Sequence, residues 1–193
     1  MPGRIHADKL RRDVAALEQQ LASDPTFGLQ RPRVSTRLVE DMTAESRFIQ
    51  YDKPFEFRSD ESVERSGQAA APSPLRYFLS GVAFCQQVWY AKGAALVGCE
   101  LDDLTIDLET LLDMRGEHKV GAAPVYPQHL ILEARVSSPS PAERVLAMVD
   151  EANSRCPLYN LVGRAIPVYN RIYHNDTLIR DTVPAHLAPP RAG

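Results

Sequence analysis

Residues 71–93 read APSPLRYFLSGVAFCQQVWYAKG and hold the longest uncharged stretch of the chain. Ser73 is a favourable helix N-cap, and Pro74 suits the first helical turn, where its missing N–H has no intrahelical acceptor. The apolar positions that follow repeat with helical spacing at Phe78, Val82, Cys85 and Trp89, and a second set widens the same face, namely Leu79, Ala83 and Tyr90. We therefore predict a central, buried helix that carries a cysteine.

The composition excludes two classes of partner. Lys and Arg number 22 and Asp and Glu 25, so the formal net charge of −3 gives no basic surface for nucleic acid or anionic lipid. The start of the chain lacks the apolar core of a signal peptide, and the uncharged run is too short, and too interrupted by Gln86 and Gln87, to cross a bilayer. We expect a cytoplasmic protein with neither a nucleic acid nor a membrane as partner.

The chain contains three cysteines, an odd number. In a cytoplasmic protein a structural disulfide framework is rare, so any pairing of these thiols is expected to be transient and chemical. Cys99 lies at the start of a predicted strand and is expected to be structural. His118, His129 and His174 are scattered, without the spacing of a metal motif. The sequence predicts neither a metal site nor a cofactor.

The predicted strands and helices follow each other in an irregular order. A β-rich stretch at 33–58 indicates an antiparallel meander, and a polar loop at 59–72 precedes the cysteine helix as a candidate wall of an active site. The further elements are two strands at 99–114 and 128–138, a helix at 141–156 and a last strand at 165–173. Runs of strands broken by helices, without regular βαβ alternation, indicate an α+β fold with helices packed on an antiparallel sheet.

The chain divides into three parts on this interpretation. Residues 1–25 form an amphipathic helical extension that docks on the main body or on a partner subunit, with an apolar face made of Leu10, Val14, Leu17 and Leu21. Residues 26–175 form the main domain. Residues 176–193 form a Pro-rich C-terminal tail, which is expected to lack regular structure.

Two cysteine motifs resemble those of the OsmC/Ohr family of thiol peroxidases. The first is APSPLRYFLSGVAFC, in which Cys85 follows the helix-leading proline by eleven positions. The second is SRCPLYNLV, where Cys156 and a proline at the end of a helix are followed by a short linker and Asn. The cysteines stand 71 residues apart, with strand, strand and helix between them, which is similar to the order in that family. The resemblance covers roughly residues 33–174.

This resemblance implies an OsmC-like fold, in which antiparallel sheets pack around a buried cysteine helix and two chains form an intertwined homodimer. It also implies that Cys85 is the peroxidatic cysteine, which attacks a hydroperoxide, and that Cys156 resolves the product as a disulfide. A second thiol close by protects a sulfenic acid from further oxidation. The apolar helix favours organic hydroperoxides as substrates, and the implied reductant is a small dithiol or a lipoyl-type protein.

The resemblance further implies a cation beside the reactive cysteine. Only the thiolate is nucleophilic enough to attack, and apolar surroundings disfavour it, so a reactive Cys85 requires a charged or hydrogen-bonding partner. In the peroxidases of the family this partner is an arginine from an early strand loop. Arg47 is the first candidate for that role and Arg37 the second.

The same peroxidases carry a glutamate directly after the helix-leading proline, where it orients the arginine. Leu75 occupies that position here, and Glu61 or Glu64 in the preceding loop could substitute for it. The candidates for lining a substrate pocket are Leu75, Arg76, Phe78 and Trp89. A core role is the alternative for Trp89. Arg76 opposes the helix dipole, so it is either a solvated residue or one that binds an anion.

Two functions follow from the sequence. The first is a thiol-dependent peroxidase that reduces organic hydroperoxides through a Cys85–Cys156 redox pair, as an antioxidant in the response to oxidative stress. The second is a family member without efficient peroxidase activity, because of Leu75, that binds small molecules, senses redox state or performs other thiol chemistry. A lone cysteine on an apolar helix face is usually a small buried hydrophobe, and the second cysteine motif favours a reactive Cys85.

Overall fold

The computed structural model describes residues 5–187 of the 193-residue chain. Its helices are α1 (Ala7–Ser23), α2 (Pro74–Val97), α3 (Met114–Glu117), α4 (Ala142–Arg155) and α5 (Pro157–Ala165). Its strands are β1 (Ser35–Glu40), β2 (Thr43–Gln50), β3 (Lys53–Ser59), β4 (Asp103–Thr110), β5 (Leu130–Ser137), β6 (Val168–His174) and β7 (Thr177–Asp181). These elements confirm the predicted α+β class. They belong to two compact units, one of residues 18–80 and one that joins the residues up to 17 with those from 81 onward.

The unit of residues 18–80 contains a three-stranded antiparallel sheet in the order β1-β2-β3, which confirms the predicted meander. Side chains alternate between its two faces. One face carries aromatic rings, with Phe48 at 5.5 Å from both Phe55 and Phe57, measured between ring centroids. The opposite face carries arginine and glutamate side chains. The meander is therefore apolar on one face and charged on the other.

A buried carboxylate organises the loop after β3. Asp60 is fully buried, and its oxygens accept the backbone N–H groups of Glu61, Gln68 and Ala70 at 2.8 to 3.1 Å. These donors hold the pKa of Asp60 below its ordinary value, the N–H of Ala70 contributing most. Gly67 closes the loop so tightly that a Cβ there would lie 2.0 Å from the carbonyl oxygen of Glu61. The predicted polar loop is thus a compact, hydrogen-bonded segment.

The second unit contains a four-stranded sheet in the order β4-β5-β6-β7. The two outer pairs are antiparallel, and β5 and β6 are parallel, which the sequence analysis did not predict. The pair is parallel because α4 and α5 return the chain to the end of the sheet where β5 began. β7 was also missed, and it occupies the first part of the predicted C-terminal tail. It follows β6 through a two-residue turn at Asn175 and Asp176, whose φ values are 45° and 64°.

Helix α2 buries one side of the predicted apolar face, that of Leu79, Val82 and Tyr90, and leaves Phe78 exposed. Its buried positions include Leu79, Val82, Gln86, Tyr90 and Ala94. Cys85 and Trp89 are half-buried, whereas Phe78 is 47% exposed in the single chain. Phe84 and Val88 are exposed as well, by 66% and 52%. The helix therefore leaves an apolar face uncovered. Even so, no helix between residues 5 and 187 is long and apolar enough to cross a membrane.

The core of the second unit lies between the sheet and helices α2 and α4. Helix α4 buries the stripe predicted from its sequence, namely Val145, Met148, Val149 and Ala152. A close approach of the two helices occurs at Gly93 of α2, where a Cβ would lie 3.0 Å from the backbone oxygen of Met148. The small residue therefore sets the distance between the helix that carries Cys85 and the helix that leads to Cys156.

The first part of α1 docks on the C-terminal end of α2. Arg11 Nε donates a hydrogen bond to the carbonyl oxygen of Ala95 at 3.0 Å, and Val14 is buried. Of the two alternatives for this helix, docking on the main body is therefore observed for its residues up to 17.

Replacing Gly93 by Ala should lower the free energy of unfolding by about 1–3 kcal/mol, because the added methyl group pushes α2 away from α4. Gly81 lies on the same helix and has open space at its Cβ position. Gly81→Ala should therefore raise the free energy of unfolding by roughly 0.5–1 kcal/mol through helix propensity alone. Urea denaturation of both variants measures the difference. Equal stabilisation by the two substitutions would contradict the close approach at Gly93.

Candidate functional site

The structure brings Cys85 and Cys156 together. The thiol of Cys156 donates to the Sγ atom of Cys85 at a sulfur–sulfur distance of 3.1 Å. A disulfide bond has a length of about 2.05 Å, so the two sulfurs are roughly 1 Å from bonding distance. Both thiols are free in this state. Cys85 is half-buried on α2, whereas Cys156 is fully buried, so Cys85 is the thiol that solvent and small molecules reach more readily.

Cys156 lies at the corner between two helices. It ends α4 and is also the N-cap of α5, with its Sγ accepting the backbone N–H of Tyr159 at 3.4 Å. Pro157 explains both roles, since proline disfavours a helical residue before it and suits the first position of the next helix. The sequence analysis predicted only the helix end at Cys156 and missed α5. The partial positive charge of the α5 N-terminus therefore faces this sulfur.

The pKa of the Cys156 thiol is raised from 9.0 to about 11. Burial is the largest cause, because it disfavours the charged thiolate. The N–H of Tyr159 opposes this effect, and the neighbouring Cys85 sulfur adds to it. Cys156 is therefore a neutral thiol at neutral pH, and it points directly at the other sulfur.

Asn160 stabilises the junction between α4 and α5 at Cys156. Its Nδ2 donates to the backbone oxygens of Asn153 and Cys156, both at 2.8 Å. The carbonyl of Asn153 lies in the last turn of α4 and has no helical donor, because Pro157 lacks an N–H, whereas the carbonyl of Cys156 also accepts the backbone N–H of Asn160 at 3.1 Å. The asparagine of the quoted SRCPLYNLV motif thus has a structural reason, which is to tie the end of α4 to the start of α5.

A chain of side-chain amides runs beside the two cysteines. Gln86 Nε2 donates to Asn153 Oδ1 at 3.1 Å, and Asn153 Nδ2 donates to Asn170 Oδ1 at 3.4 Å. Asn170 Nδ2 then donates to the hydroxyl of Tyr159 at 2.8 Å. The sequence analysis missed these residues. Gln86 in an otherwise apolar run was the one signal of a buried polar group.

Trp89 lies one helical turn after Cys85, between two cations. Lys92 Nζ is 4.7 Å from the centroid of its ring, and the guanidinium carbon of Arg155 is 5.8 Å away. Arg155 also forms an ion pair with Glu151 at 2.6 Å. The ring is half-buried and makes cation–π contacts with side chains of α2 and of the end of α4.

In the meander, three arginine side chains donate hydrogen bonds to the same carboxylate. Glu45 is 5% exposed, and it accepts hydrogen bonds from Arg37 and Arg58 at 2.9 Å and from Arg47 at 3.3 Å. Arg37 and Arg58 stand directly opposite Glu45 on β1 and β3. The hydrogen bond from Arg37 is the largest cause that holds the pKa of Glu45 below its ordinary value. Both candidate arginines are therefore bound to a glutamate that the sequence analysis did not name, although strand alternation could have found it.

The carboxylates that the sequence analysis did name have other partners. Glu61 pairs with Arg65 at 3.4 Å, and hydrogen bonds from its own backbone N–H and from Ser62 lower the pKa of Glu64. At the start of α2, Leu75 is half-buried and Arg76 is exposed. Between residues 5 and 187, no group of His, Cys, Asp and Glu side chains is arranged to hold a metal ion.

Comparisons with known proteins agree with this fold. The family model described as OsmC-like protein matches residues 67–170. An OsmC like protein from Mycoplasma pneumoniae is 19% identical, with a TM-score of 0.61, and the match covers 75% of this chain and 99% of that one. No curated protein sequence matches the chain.

Two further solved structures carry a more specific name. An organic hydroperoxide resistance protein OsmC from Legionella pneumophila is 17% identical, with a TM-score of 0.58 and coverage of 76% of this chain and 98% of that one. An organic hydroperoxide resistance protein from Elizabethkingia anophelis is 12% identical, with a TM-score of 0.57 and coverage of 76% and 99%. At these identities the likeness shows a shared fold.

The raised pKa of Cys156 predicts a loss of stability at alkaline pH. Between pH 9.0 and about 11 the unfolded thiol has released its proton while the folded one keeps it. The folded state then binds more protons, so its stability falls as the pH rises. Urea denaturation across this range should show the decrease, and Cys156→Ser should remove that part of it.

Thiolate absorbance, taken as parent minus Cys156→Ser, should titrate near pH 11. A midpoint at or below 9.0 would contradict a buried, neutral thiol.

Proposed function

The chain belongs to the OsmC-like family, and we propose that it is a thiol-dependent peroxidase that reduces organic hydroperoxides through Cys85 and Cys156. The observation that carries the proposal is the 3.1 Å distance between the two sulfurs, in an environment where Cys85 is the more accessible. Two proteins of similar fold are named organic hydroperoxide resistance proteins, which supports the same reaction class.

In the first step, the Cys85 thiolate attacks the terminal oxygen of the hydroperoxide. An S–O bond forms, the O–O bond breaks, and the alcohol leaves with a proton. Cys85 is thereby oxidised by two electrons to the sulfenic acid. The half-buried position of Cys85 suits this role, because the fully buried Cys156 is less accessible to a substrate.

In the second step, Cys156 attacks the sulfur of oxidised Cys85. The S–S bond forms, the S–O bond breaks, and the hydroxide leaves with a proton as water. Cys156 must lose its proton for this attack, and the N–H of Tyr159 together with the α5 N-terminus stabilises the thiolate that results. A small dithiol or a lipoyl-type protein then returns the disulfide to two thiols.

The first step also requires a stabilised Cys85 thiolate. We keep Arg47 as the first candidate for the cation and Arg37 as the second. Glu61 and Glu64 remain candidates for the orienting carboxylate, and we add Glu45 because both arginines bind it. Alanine substitution of each residue in turn would show which of them changes the rate of Cys85 oxidation.

An organic substrate fits the apolar surroundings of Cys85. Phe84 and Val88 are the exposed apolar residues of α2 next to it. The proposed pocket residues on the same helix remain Leu75, Arg76, Phe78 and Trp89. Apolar side chains favour a hydroperoxide with a hydrocarbon body over hydrogen peroxide.

The same exposed face supports a homodimer. A large apolar side chain on a helix usually becomes buried, and the exposure of Phe84 by 66% and Val88 by 52% leaves a patch that a second chain would cover. We propose that the functional unit is a dimer of this chain, with α2 at the interface.

One equivalent of cumene hydroperoxide should convert Cys85 and Cys156 into a disulfide while Cys99 stays reduced. Steady-state consumption with dihydrolipoamide should be abolished by Cys85→Ser. Cys156→Ser should still consume the first equivalent, but its Cys85 should proceed to sulfinic acid under excess hydroperoxide. Alkylation followed by peptide mapping distinguishes these products. Cys99→Ser is the control and should behave like the parent.

The alternative function has a different outcome in the same experiment. If Cys85 stays reduced and Cys85→Ser behaves like the parent, the chain is not a peroxidase. A family member that binds small molecules or performs other thiol chemistry would then replace the proposal.

Light scattering should give the mass of two chains at micromolar concentration. Phe84→Glu should shift the protein to monomer, because a charge on the α2 face cannot be buried without a partner. Val63 lies in a single 3₁₀ turn and is 67% exposed, so Val63→Glu is the matched control and should stay dimeric. A compact, stable monomer of the parent would rule out the dimer.

A further inference from the structure

The amide chain beside the cysteines joins the two reactive residues by a second route. It starts at Gln86, the residue after Cys85, and passes through Asn153 and Asn170 to the hydroxyl of Tyr159. The backbone N–H of Tyr159 then donates to Cys156 Sγ at 3.4 Å. Because the two sulfurs are in contact, the chain closes a ring that contains both of them.

Each amide in this ring donates in the same direction. Gln86 and the two asparagines each use the NH₂ group toward the next member, and each asparagine uses its oxygen toward the previous one. The members come from α2, α4, β6 and α5. Asn153 lies one helical turn before Cys156, and Tyr159 lies one turn after it. The chain therefore ties both sides of the Cys156 corner to the helix that carries Cys85.

The residue at the start of the amide chain, Gln86, is only half satisfied. Gln86 is fully buried, and its Oε1 has no hydrogen-bond partner among the described residues. The hydroxyl of Tyr90, one turn further along α2, is also buried, and between residues 5 and 187 it has no hydrogen-bond partner. A buried acceptor without a partner is destabilising, and a leucine of similar volume would remove that penalty but would leave Asn153 Oδ1 without its donor. The hydrogen bond from Gln86 to Asn153 is therefore the contact by which this buried amide links α2 to α4.

We propose that Gln86 and Asn153 are positioning residues, which hold Cys156 Sγ at the distance and direction from which it forms a disulfide with Cys85. The proposal rests on the proposed function where the oxidant is a hydroperoxide. Without these amide hydrogen bonds, the corner between α4 and α5 is still held by the hydrogen bonds of Asn160 and by the helix termini. Cys156, however, loses its fixed orientation toward α2. Disulfide closure then becomes less favourable and slower.

The first test is independent of peroxidase activity. In a buffer of oxidised and reduced dithiothreitol, the two protein thiols give up two electrons and two protons to the oxidised reagent, and the protein disulfide forms. The equilibrium constant of this exchange measures how well the two thiols are positioned. Gln86→Leu should lower it on the order of tenfold, since a misplacement of reacting groups by about 1 Å can cost on the order of 100-fold and the expected displacement is smaller.

The neighbouring residue supplies a matched control. Gln87 is half-buried on the same helix and is not a member of the chain, so Gln87→Leu should leave the equilibrium constant within about twofold of the parent. Thermal unfolding separates positioning from structural damage. Gln86→Leu should unfold close to the temperature of the parent, because removal of the buried Oε1 without a partner offsets the loss of the donor to Asn153 Oδ1.

A double variant tests whether Gln86 acts through Asn153. If it does, Asn153→Leu should lower the equilibrium constant by a similar factor, and the double variant should be no worse than either single one. If the double variant lowers the equilibrium constant by the product of the two single effects, the two residues act separately. That result would contradict a role for Gln86 that runs through Asn153. Equal equilibrium constants for Gln86→Leu, Gln87→Leu and the parent would overturn the proposal as a whole.

The second test uses cumene hydroperoxide. The first equivalent should be consumed at the parent rate by Gln86→Leu, while the fraction of Cys85 found as sulfinic acid under excess oxidant should rise about tenfold, in line with the slower closure. If the parent itself does not react, the proposed function fails, and the dithiothreitol equilibrium still decides the role of Gln86. An unchanged sulfinic acid fraction in a reactive Gln86→Leu protein would count against positioning.

Discussion

Two sulfur atoms 3.1 Å apart without a bond between them are the constraint on which the rest of the second unit depends. The contact persists only while α2 and α4 keep their separation, because each helix carries or leads to one of the thiols. The close approach at Gly93 sets that separation from one side, and the buried stripe of α4 maintains it from the other. Close-packed interiors transmit small displacements, so a shift of a few tenths of an ångström at Gly93 reaches the sulfurs.

Burial and reactivity make opposite demands on Cys156. Placing this thiol in the interior brings it against Cys85 and also keeps it protonated, since the raised pKa favours the neutral form. The helix junction at Pro157 partly offsets the effect of burial on the thiolate of Cys156. It ends one helix and begins another at the same sulfur, so the backbone N–H of Tyr159 and the α5 terminus are available to the thiolate when the proton leaves. A helix that ran straight through Cys156 would offer neither.

The sequence was sufficient to predict the cysteine helix, the meander, the succession of strands along the chain up to β6 and the residues whose sulfurs the structure brings together. Each of those features rests on a local signal, such as a Pro-led apolar run or a Cys-Pro pair. The parts that it missed depend on distant residues. Glu45 binds arginines on neighbouring strands, and Gln86 finds Asn153 on another helix. On α2 the predicted face contained buried residues together with the exposed Phe78, because an apolar helix has no polar face to show which side is buried.

The position of Trp89 gives the molecule an optical property. It is the single tryptophan of the chain, it stands one turn from Cys85, and a guanidinium next to Cys156 in sequence lies over its ring. Indole emission responds to the polarity and charge around the ring, so any movement of the corner changes the intensity or wavelength of the fluorescence. The proposed disulfide formation between Cys85 and Cys156 should therefore be visible in real time in the unlabelled protein, with a signal that originates beside the two cysteines.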